Sequence, residues 1–194
     1  MLKGSASTTT VNPSDVASAE NVAAPAPARE AAGSMQGLEY FKVGRNRFDE
    51  GDLSGALTAY LKSIELRPDS AEVYLSLGQV YLKLEKNKDA AKAFKNSVRL
   101  DPNVAEAQYG LGLANFRVGR HKDAADAFKQ ATILRPDLAK AHYGLALAYQ
   151  EMGKTDALTA EFRILQTLDA SLARKLSQSF PEFNFPCGAS SRCR

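Results

Sequence analysis

Apolar residues between Gln36 and Phe180 recur at intervals of three and four positions, without the strict alternation of a half-buried strand. This spacing places them on one face of an α-helix, so the region is predicted to be helical nearly throughout. Pro181 and Pro186 follow it and oppose further helix, because proline lacks a backbone N–H and its ring clashes with the preceding turn. The segment 181–194 is therefore predicted to be a flexible tail.

The helical region also repeats at a longer interval. Pro68, Pro102 and Pro136 stand 34 residues apart, and a glycine, a leucine and an aromatic column keep the same register. The members of these columns are Gly44, Gly78 and Gly112; Leu66, Leu100, Leu134 and Leu168; and Tyr60, Phe94, Phe128 and Phe162. Such self-similarity is typical of repeat arrays, in which each unit packs on its neighbours. The units are predicted near 37–70, 71–104, 105–138 and 139–172.

Each unit is predicted to contain two helices. In unit 71–104, the small residues Gly78 and Ala90 allow the two helices to approach closely, and Phe94 fills the space beside them. Pro102 ends the second helix, because it cannot continue the hydrogen-bond ladder. A helix of about 14 residues is marginal alone, so its stability is expected to come from burial against the next unit.

The N-terminal residues 1–34 differ from this pattern. They are rich in Ala, Ser, Thr and Pro and contain few large apolar residues. Such a segment cannot bury enough surface to offset its ordering entropy, so it is predicted to be a disordered arm. The array itself is predicted to occupy residues 35–180.

Composition narrows the classes of function. Hydrophobic residues make up 44% of the 194-residue chain, and the formal net charge is +3. The basic residues are spread along the chain without an evident stripe, so nucleic acid is not an expected partner. No apolar run approaches the roughly 18 residues needed to span a bilayer. Residues 1–24 lack the apolar core of a signal peptide, which favours the cytoplasm, with an exported form that has lost its signal as the alternative.

Candidate catalytic and metal-binding groups are sparse in the sequence. His121 is predicted in a turn and His142 at the start of a helix, with no carboxylate or cysteine at metal-ligand spacing. Cys187 and Cys193 either are exposed thiols of the tail or form a disulfide in an oxidising compartment. No catalytic residue, metal ion or cofactor is therefore predicted, and the chain is not expected to be an enzyme.

One family matches the repeated residues. The pattern Tyr74-x2-Leu77-Gly78-x2-Tyr81, then Ala90-x3-Phe94, then Pro102, resembles the tetratricopeptide repeat (TPR). The resemblance covers about 37–172 and implies an all-α, right-handed α-solenoid of about four helix-turn-helix units. Unit 105–138 departs from the pattern at Asn115, where the family has tyrosine. The last unit departs from the pattern at Ala170, where the family has proline, so the chain can continue as a further helix. This final helix over 171–180 is expected to cap the array through Leu172, Leu176 and Phe180.

The resemblance also implies a binding surface. Family members bind partners on the concave side, which is lined by the first helix of each unit. The concave positions five, nine and twelve of the units include the candidate contact residues Phe41, Arg45, Phe48, Leu75, Gln79, Leu82, Tyr109, Leu113, Phe116, Tyr143 and Leu147. They predict an apolar groove, deepened at Gly110 and Gly144, for an amphipathic helix or an extended apolar segment. Alternatively, the aromatic residues of this set pack mainly against neighbouring helices.

Two classes of function follow from this surface. The first is a non-catalytic protein–protein interaction module, acting as scaffold, adaptor or assembly factor on a protein or peptide partner. The second is a regulatory or docking subunit of an enzyme or of a secretion or envelope assembly. Chaperone C-terminal tails are not expected partners, because Phe41, Ser76 and Gly110 stand where tail-binding members place Lys, Asn and Arg, respectively.

Overall fold

The computed structural model describes residues 26–181, and within this range the chain forms nine α-helices and no strand. The helices are α1 (Ala26–Asp49), α2 (Leu53–Leu66), α3 (Ala71–Lys83), α4 (Asn87–Leu100), α5 (Ala105–Arg117), α6 (His121–Leu134), α7 (Ala139–Glu151), α8 (Thr155–Leu168) and α9 (Ala170–Ser179). The predictions for residues 1–25, for the tail after Pro181 and for Cys187 and Cys193 lie outside the described range.

The first helix is longer than the sequence pattern predicts. It begins at Ala26, so residues 26–34, which were predicted to belong to a disordered arm, are helical. Pro27 lies in the first turn, where its missing N–H has no intrahelical partner to lose. The alanines that follow favour helix over any other backbone conformation. The predicted boundary at residue 34 was therefore wrong for this segment.

The helices pair as antiparallel hairpins, α1 with α2, α3 with α4, α5 with α6 and α7 with α8, and each hairpin packs on the next. Across the described residues, successive odd-numbered helices also contact one another, whereas α2, α4, α6 and α8 have no such mutual contacts. The odd-numbered helices therefore form the closer, inner layer and the even-numbered helices the more widely spaced outer layer. The all-α solenoid predicted from the repeat is confirmed.

The turns inside the four hairpins share one position with a left-handed backbone conformation. Gly51, Glu85, Gly119 and Gly153 stand at equivalent places and have φ values of 83°, 58°, 80° and 69°. Glycine suits this left-handed conformation because it has no Cβ to clash with the backbone. Glu85 adopts it without that advantage, so the turn of the second unit is the strained member of the set.

An aromatic side chain links each unit to the next. Phe94 and Phe128 are 1% exposed, and their rings lie against Gly78 and Gly112 of their own units. On the opposite side each ring contacts a glycine of the following unit, Gly110 for Phe94 and Gly144 for Phe128. The aromatic column of the sequence thus forms a continuous spine between the two layers of helices.

The helix α9 follows the fourth unit and contacts both α8 and α7. The Asp169 carboxylate caps its N-terminus by accepting hydrogen bonds from the backbone N–H groups of Ser171 and Leu172, at 2.9 and 3.1 Å. Leu176 is fully buried and Ala173 nearly so. The buried face of α9 therefore differs slightly from the predicted one, because it is centred on Ala173 and Leu176 whereas Leu172 and Phe180 are only half-buried.

Candidate functional site

The inner surface of the array is formed by α1, α3, α5 and α7, and it contains the predicted contact positions. Among those residues Arg45 and Gln79 are exposed. The half-buried members are Phe48, Leu75, Leu82, Tyr109, Leu113, Phe116, Tyr143 and Leu147. Phe41 is 5% exposed and packs on Tyr60 with ring centroids 5.8 Å apart. The prediction that Phe41 lines the groove was therefore wrong, because its ring fills the core of the first hairpin.

The two glycines that were predicted to deepen the groove do not leave gaps. Both are buried, and a Cβ at Gly110 would lie 2.5 Å from the Phe94 ring. A Cβ at Gly144 would lie 2.6 Å from the Phe128 ring. The missing side chains make room for aromatic rings from the preceding unit, not for a ligand, so the expectation of a deeper groove at these positions was wrong.

The remaining apolar positions are partly covered by packing within their own units. Tyr109, Leu113 and Phe116 pack against the cluster around Phe128, and the Tyr109 and Phe128 rings lie 5.8 Å apart. Burial raises the pKa of the Tyr109 phenol above its usual value. Leu113 is half-buried yet keeps part of its surface at the inner face of α5. These residues therefore pack inward and also keep part of their surface accessible, and the binding of a partner there stays a prediction.

Cationic side chains lie over two of the predicted contact residues. Lys83 Nζ is 5.0 Å from the centroid of the Phe48 ring, and Lys175 Nζ is 5.5 Å from that of Tyr143. Cations placed over an aromatic face are attracted by its negative potential. Part of the accessible face of the Phe48 and Tyr143 rings is therefore covered by a side chain of this protein. These cations are not predictable from the repeat pattern, because each lies on a different helix from its ring.

A buried polar contact joins the two helices of the last unit. His142 Nδ1 is 2.7 Å from Glu161 Oε2, and His142 Nε2 is 2.9 Å from the carbonyl oxygen of Pro136. The side chains of His142 and Glu161 are 8% and 14% exposed. Sequence reasoning placed His142 correctly at a helix start but missed this contact, because its two partners are distant along the chain.

The basic residues are less scattered than the linear sequence indicates. On α4, Lys88, Lys92, Lys95 and Arg99 follow one another at intervals of four, three and four positions, and all four are exposed. Residues at such intervals share one face of a helix. The outer layer therefore presents a basic stripe, which the helical spacing in the sequence was sufficient to reveal.

The described residues contain no cluster of three His, Cys, Asp or Glu side chains that could hold a metal ion. Within the same range, every helix is too short or too polar to cross a bilayer.

Comparison with known families identifies the repeat. A tetratricopeptide repeat model matches residues 75–139 and 117–171, and a second TPR repeat model matches residues 44–85. The chain belongs to the tetratricopeptide repeat family, whose members are in general non-catalytic protein-interaction modules. No curated protein matches it in sequence.

Several solved structures share the fold. The chain is 25% identical to the MamA protein, with a TM-score of 0.68 over 79% of this chain and 98% of that one. It is 21% identical to YrrB, described as a TPR protein with an unusual peptide-binding site, with a TM-score of 0.68 over 84% and 87% of the two chains. The first TPR of Spaghetti (RPAP3), solved with an HSP90 peptide, is 21% identical, with a TM-score of 0.60 over 62% and 95%.

Proposed function

We propose that this protein is a scaffold or adaptor that binds a segment of a protein partner along its inner surface, centred on α5 and α7. The observation that supports this most is the accessibility of Leu113 and Leu147. They occupy the same position of adjacent inner helices and keep part of their apolar surface exposed. Apolar surface that is retained along neighbouring elements is characteristic of interaction sites.

The surroundings of this pair define the chemistry of the partner. Glu106, Arg117, Lys140 and Glu151 are exposed on the same helices, so charges of both signs flank the apolar strip. The Arg117 guanidinium also donates a hydrogen bond to the carbonyl oxygen of Leu82 at 3.3 Å, which holds it beside α3. An amphipathic helix or an extended segment with a few apolar anchors fits such a strip, since apolar anchors supply most of the affinity.

Site-specific photo-crosslinking tests this proposal on the full chain. A photoreactive residue replaces Gln79, which is exposed on the inner helix α3, and in a matched control it replaces Thr58, which is exposed on the outer helix α2. We expect proteins from the native extract to be crosslinked from position 79 and not from position 58. Mass spectrometry then identifies the partner and the crosslinked segment.

The crosslinking pattern also separates the two classes of function. A partner that is a single enzyme or a component of one secretion or envelope assembly would assign the protein a docking role, and several unrelated partners would assign it an adaptor role. Identical products from positions 79 and 58 would show that the inner surface is not the binding site.

A further inference from the structure

A groove of about 880 Å³ lies on the outer side of the array, between α4 and α6. Its floor is formed by Gln108, Leu111 and Asn115 of α5, which follow one another at helical spacing. Tyr109, Leu113 and Phe116 of the same helix belong to the inner surface. Because these two sets lie on different faces of α5, the groove is separate from the proposed inner site.

The groove is open because the third unit lacks two aromatic side chains. Gln108 occupies the position of Tyr74 in the second unit, and Asn115 occupies the position of Tyr81 there. In the fourth unit Asn115 corresponds to Tyr149. A tyrosine is much larger than either amide residue, so the substitution leaves space between the outer helices that an aromatic ring would otherwise fill.

The two amide side chains on the floor are available to a ligand, because their polar atoms are accessible from the groove. Gln108 is 8% exposed and Asn115 is 6% exposed. Within the described part of the chain, neither side-chain amide makes a hydrogen bond to another residue. Each of these amides can donate to a carbonyl oxygen and accept from an N–H of an extended peptide backbone.

The wall on the α4 side is basic. Lys88, Lys92 and Lys95 line it at successive turns of the helix. Among the described residues, Lys92 has an ion-pair partner in Asp89 of its own helix at 3.5 Å, whereas Lys88 and Lys95 have none. These three ammonium groups face one side of a groove whose floor offers hydrogen bonds.

The opposite wall is mixed. Asp123 and Asp126 of α6 line the groove together with Arg120, Lys129 and the apolar Ile133, which is 61% exposed. An acidic ligand would therefore place its carboxylates against α4 and an apolar side chain near Ile133. The two aspartates disfavour a uniformly charged polyanion such as a nucleic-acid backbone, because phosphates on that side would meet like charges.

From these contacts we propose that the groove between α4 and α6 is a second binding site, which takes an acidic peptide segment in extended conformation. Gln108 and Asn115 hydrogen-bond the peptide backbone. Lys88, Lys92 and Lys95 pair with its Glu or Asp side chains, and Ile133 contacts an apolar residue on its other side. This site is independent of the inner surface, so the two can hold different segments at the same time.

Selection from a random peptide library displayed on phage tests the site with the full chain as bait. Peptides that also bind the variant Lys92→Glu/Lys95→Glu are removed by counter-selection. We expect the remaining peptides to be rich in Glu and Asp. A synthetic peptide of the enriched sequence should bind at least about tenfold more weakly to the double variant than to the unchanged chain, which corresponds to about 1.4 kcal/mol.

Matched variants distinguish binding in the groove from a general effect of net charge and from binding at the inner surface. The control Arg163→Glu/Arg174→Glu makes the same change of charge at exposed residues outside the groove, and it should retain binding. The variant Gln108→Tyr/Asn115→Tyr restores the aromatic pair of the second unit, so it should abolish binding while its denaturation midpoint is kept or raised. The inner-surface variant Leu113→Gln/Leu147→Gln should bind the acidic peptide normally.

Three results would overturn the proposal. The first is an enriched set of peptides without excess acidic residues. The second is an equal loss of affinity for the acidic peptide in both charge-reversal variants, which would show that binding depends only on the net charge of the protein. The third is a single-stranded DNA oligonucleotide that binds the chain more tightly than the selected peptide and depends on Lys92 and Lys95, which would make the stripe a nucleic-acid contact.

Discussion

Single glycines decide how closely consecutive units approach one another. Phe128 is held between Gly112 and Gly144, and at both glycines a Cβ would come within 2.6 Å of the ring. The ring is 1% exposed and cannot move away from one glycine without meeting the other. The glycine and aromatic residues therefore recur at the same interval in the sequence because they pack against each other.

Gly144→Ala should destabilise the array despite the higher helix propensity of alanine. Overpacking a core contact costs about 1–3 kcal/mol, whereas replacing helical glycine by alanine contributes up to about 1 kcal/mol of stability. With an overpacking cost of about 2 kcal/mol, the middle of that range, we expect a net loss of about 1 kcal/mol, measured by urea denaturation.

The matched control is Gly33→Ala in α1, where a Cβ would have nothing within 4 Å. That change should leave the urea denaturation midpoint unchanged or raise it slightly, because its only effect is the higher helix propensity of alanine. If both substitutions stabilise the chain equally, Phe128 is not confined as described.

At the scale of elements, the short helix α9 closes the array. It buries Leu176 and Ala173 against a cluster that includes Ala146, Phe162 and Leu165 of the fourth unit. Without α9 this cluster would end at an open face. Terminal repeats of solenoids need a polar outer surface to stay soluble, and α9 provides one because its exposed side includes Arg174 and Lys175.

Truncation after Asp169 should therefore lower the melting temperature and cause self-association, because the cluster around Leu165 becomes exposed. Sedimentation velocity and thermal denaturation measure the two effects. Truncation after Pro181 is the control, since it removes no part of α9, and it should have neither effect. A stable, monomeric chain lacking residues after 169 would show that α9 is dispensable.

Most elements were predictable because their determinants are local and repeated. The 34-residue period located four helix pairs and their aromatic spine, and Phe94 lies between two units as its column indicates. The N-terminal boundary was missed, because a segment rich in Ala and Pro suits both a linker and the start of a helix. The 34-residue period does not distinguish these two alternatives, because this segment lies before the first repeat.

The details of the site were harder to predict because they depend on neighbouring units. A family register places Gly110 and Gly144 on the inner helices, but it does not say that rings from the preceding unit fill the space beside them. The His142–Glu161 contact joins residues 19 positions apart on different helices. In contrast, the basic stripe of α4 is predictable from the sequence, because its lysines recur at intervals of three and four positions and so share one face of the helix.

At the scale of the whole molecule, the two layers of helices present surfaces of different chemistry. The inner surface around Leu113 and Leu147 is mainly apolar, whereas the outer groove has three lysines along one wall. Salt screens exposed charges over about 10 Å at 0.1 M ionic strength. Partner binding at the inner surface should therefore weaken little with added salt, and acidic-peptide binding at the outer groove should weaken strongly. Equal salt responses at the two sites would contradict this division.

The central claim is that the partner identified by crosslinking binds along the inner surface, and calorimetric titration of four proteins measures it most directly. They are the unchanged chain, Leu113→Gln/Leu147→Gln, and the outer-face controls Ile164→Gln and Leu168→Gln, which replace side chains 37% and 39% exposed. Apolar anchors contribute about 2 kcal/mol or more each, so the inner pair should raise Kd at least about tenfold. The controls should leave Kd unchanged within experimental error. A folded inner-surface variant that binds the partner as tightly as the unchanged chain, or outer-face variants that lose as much affinity, would contradict the claim.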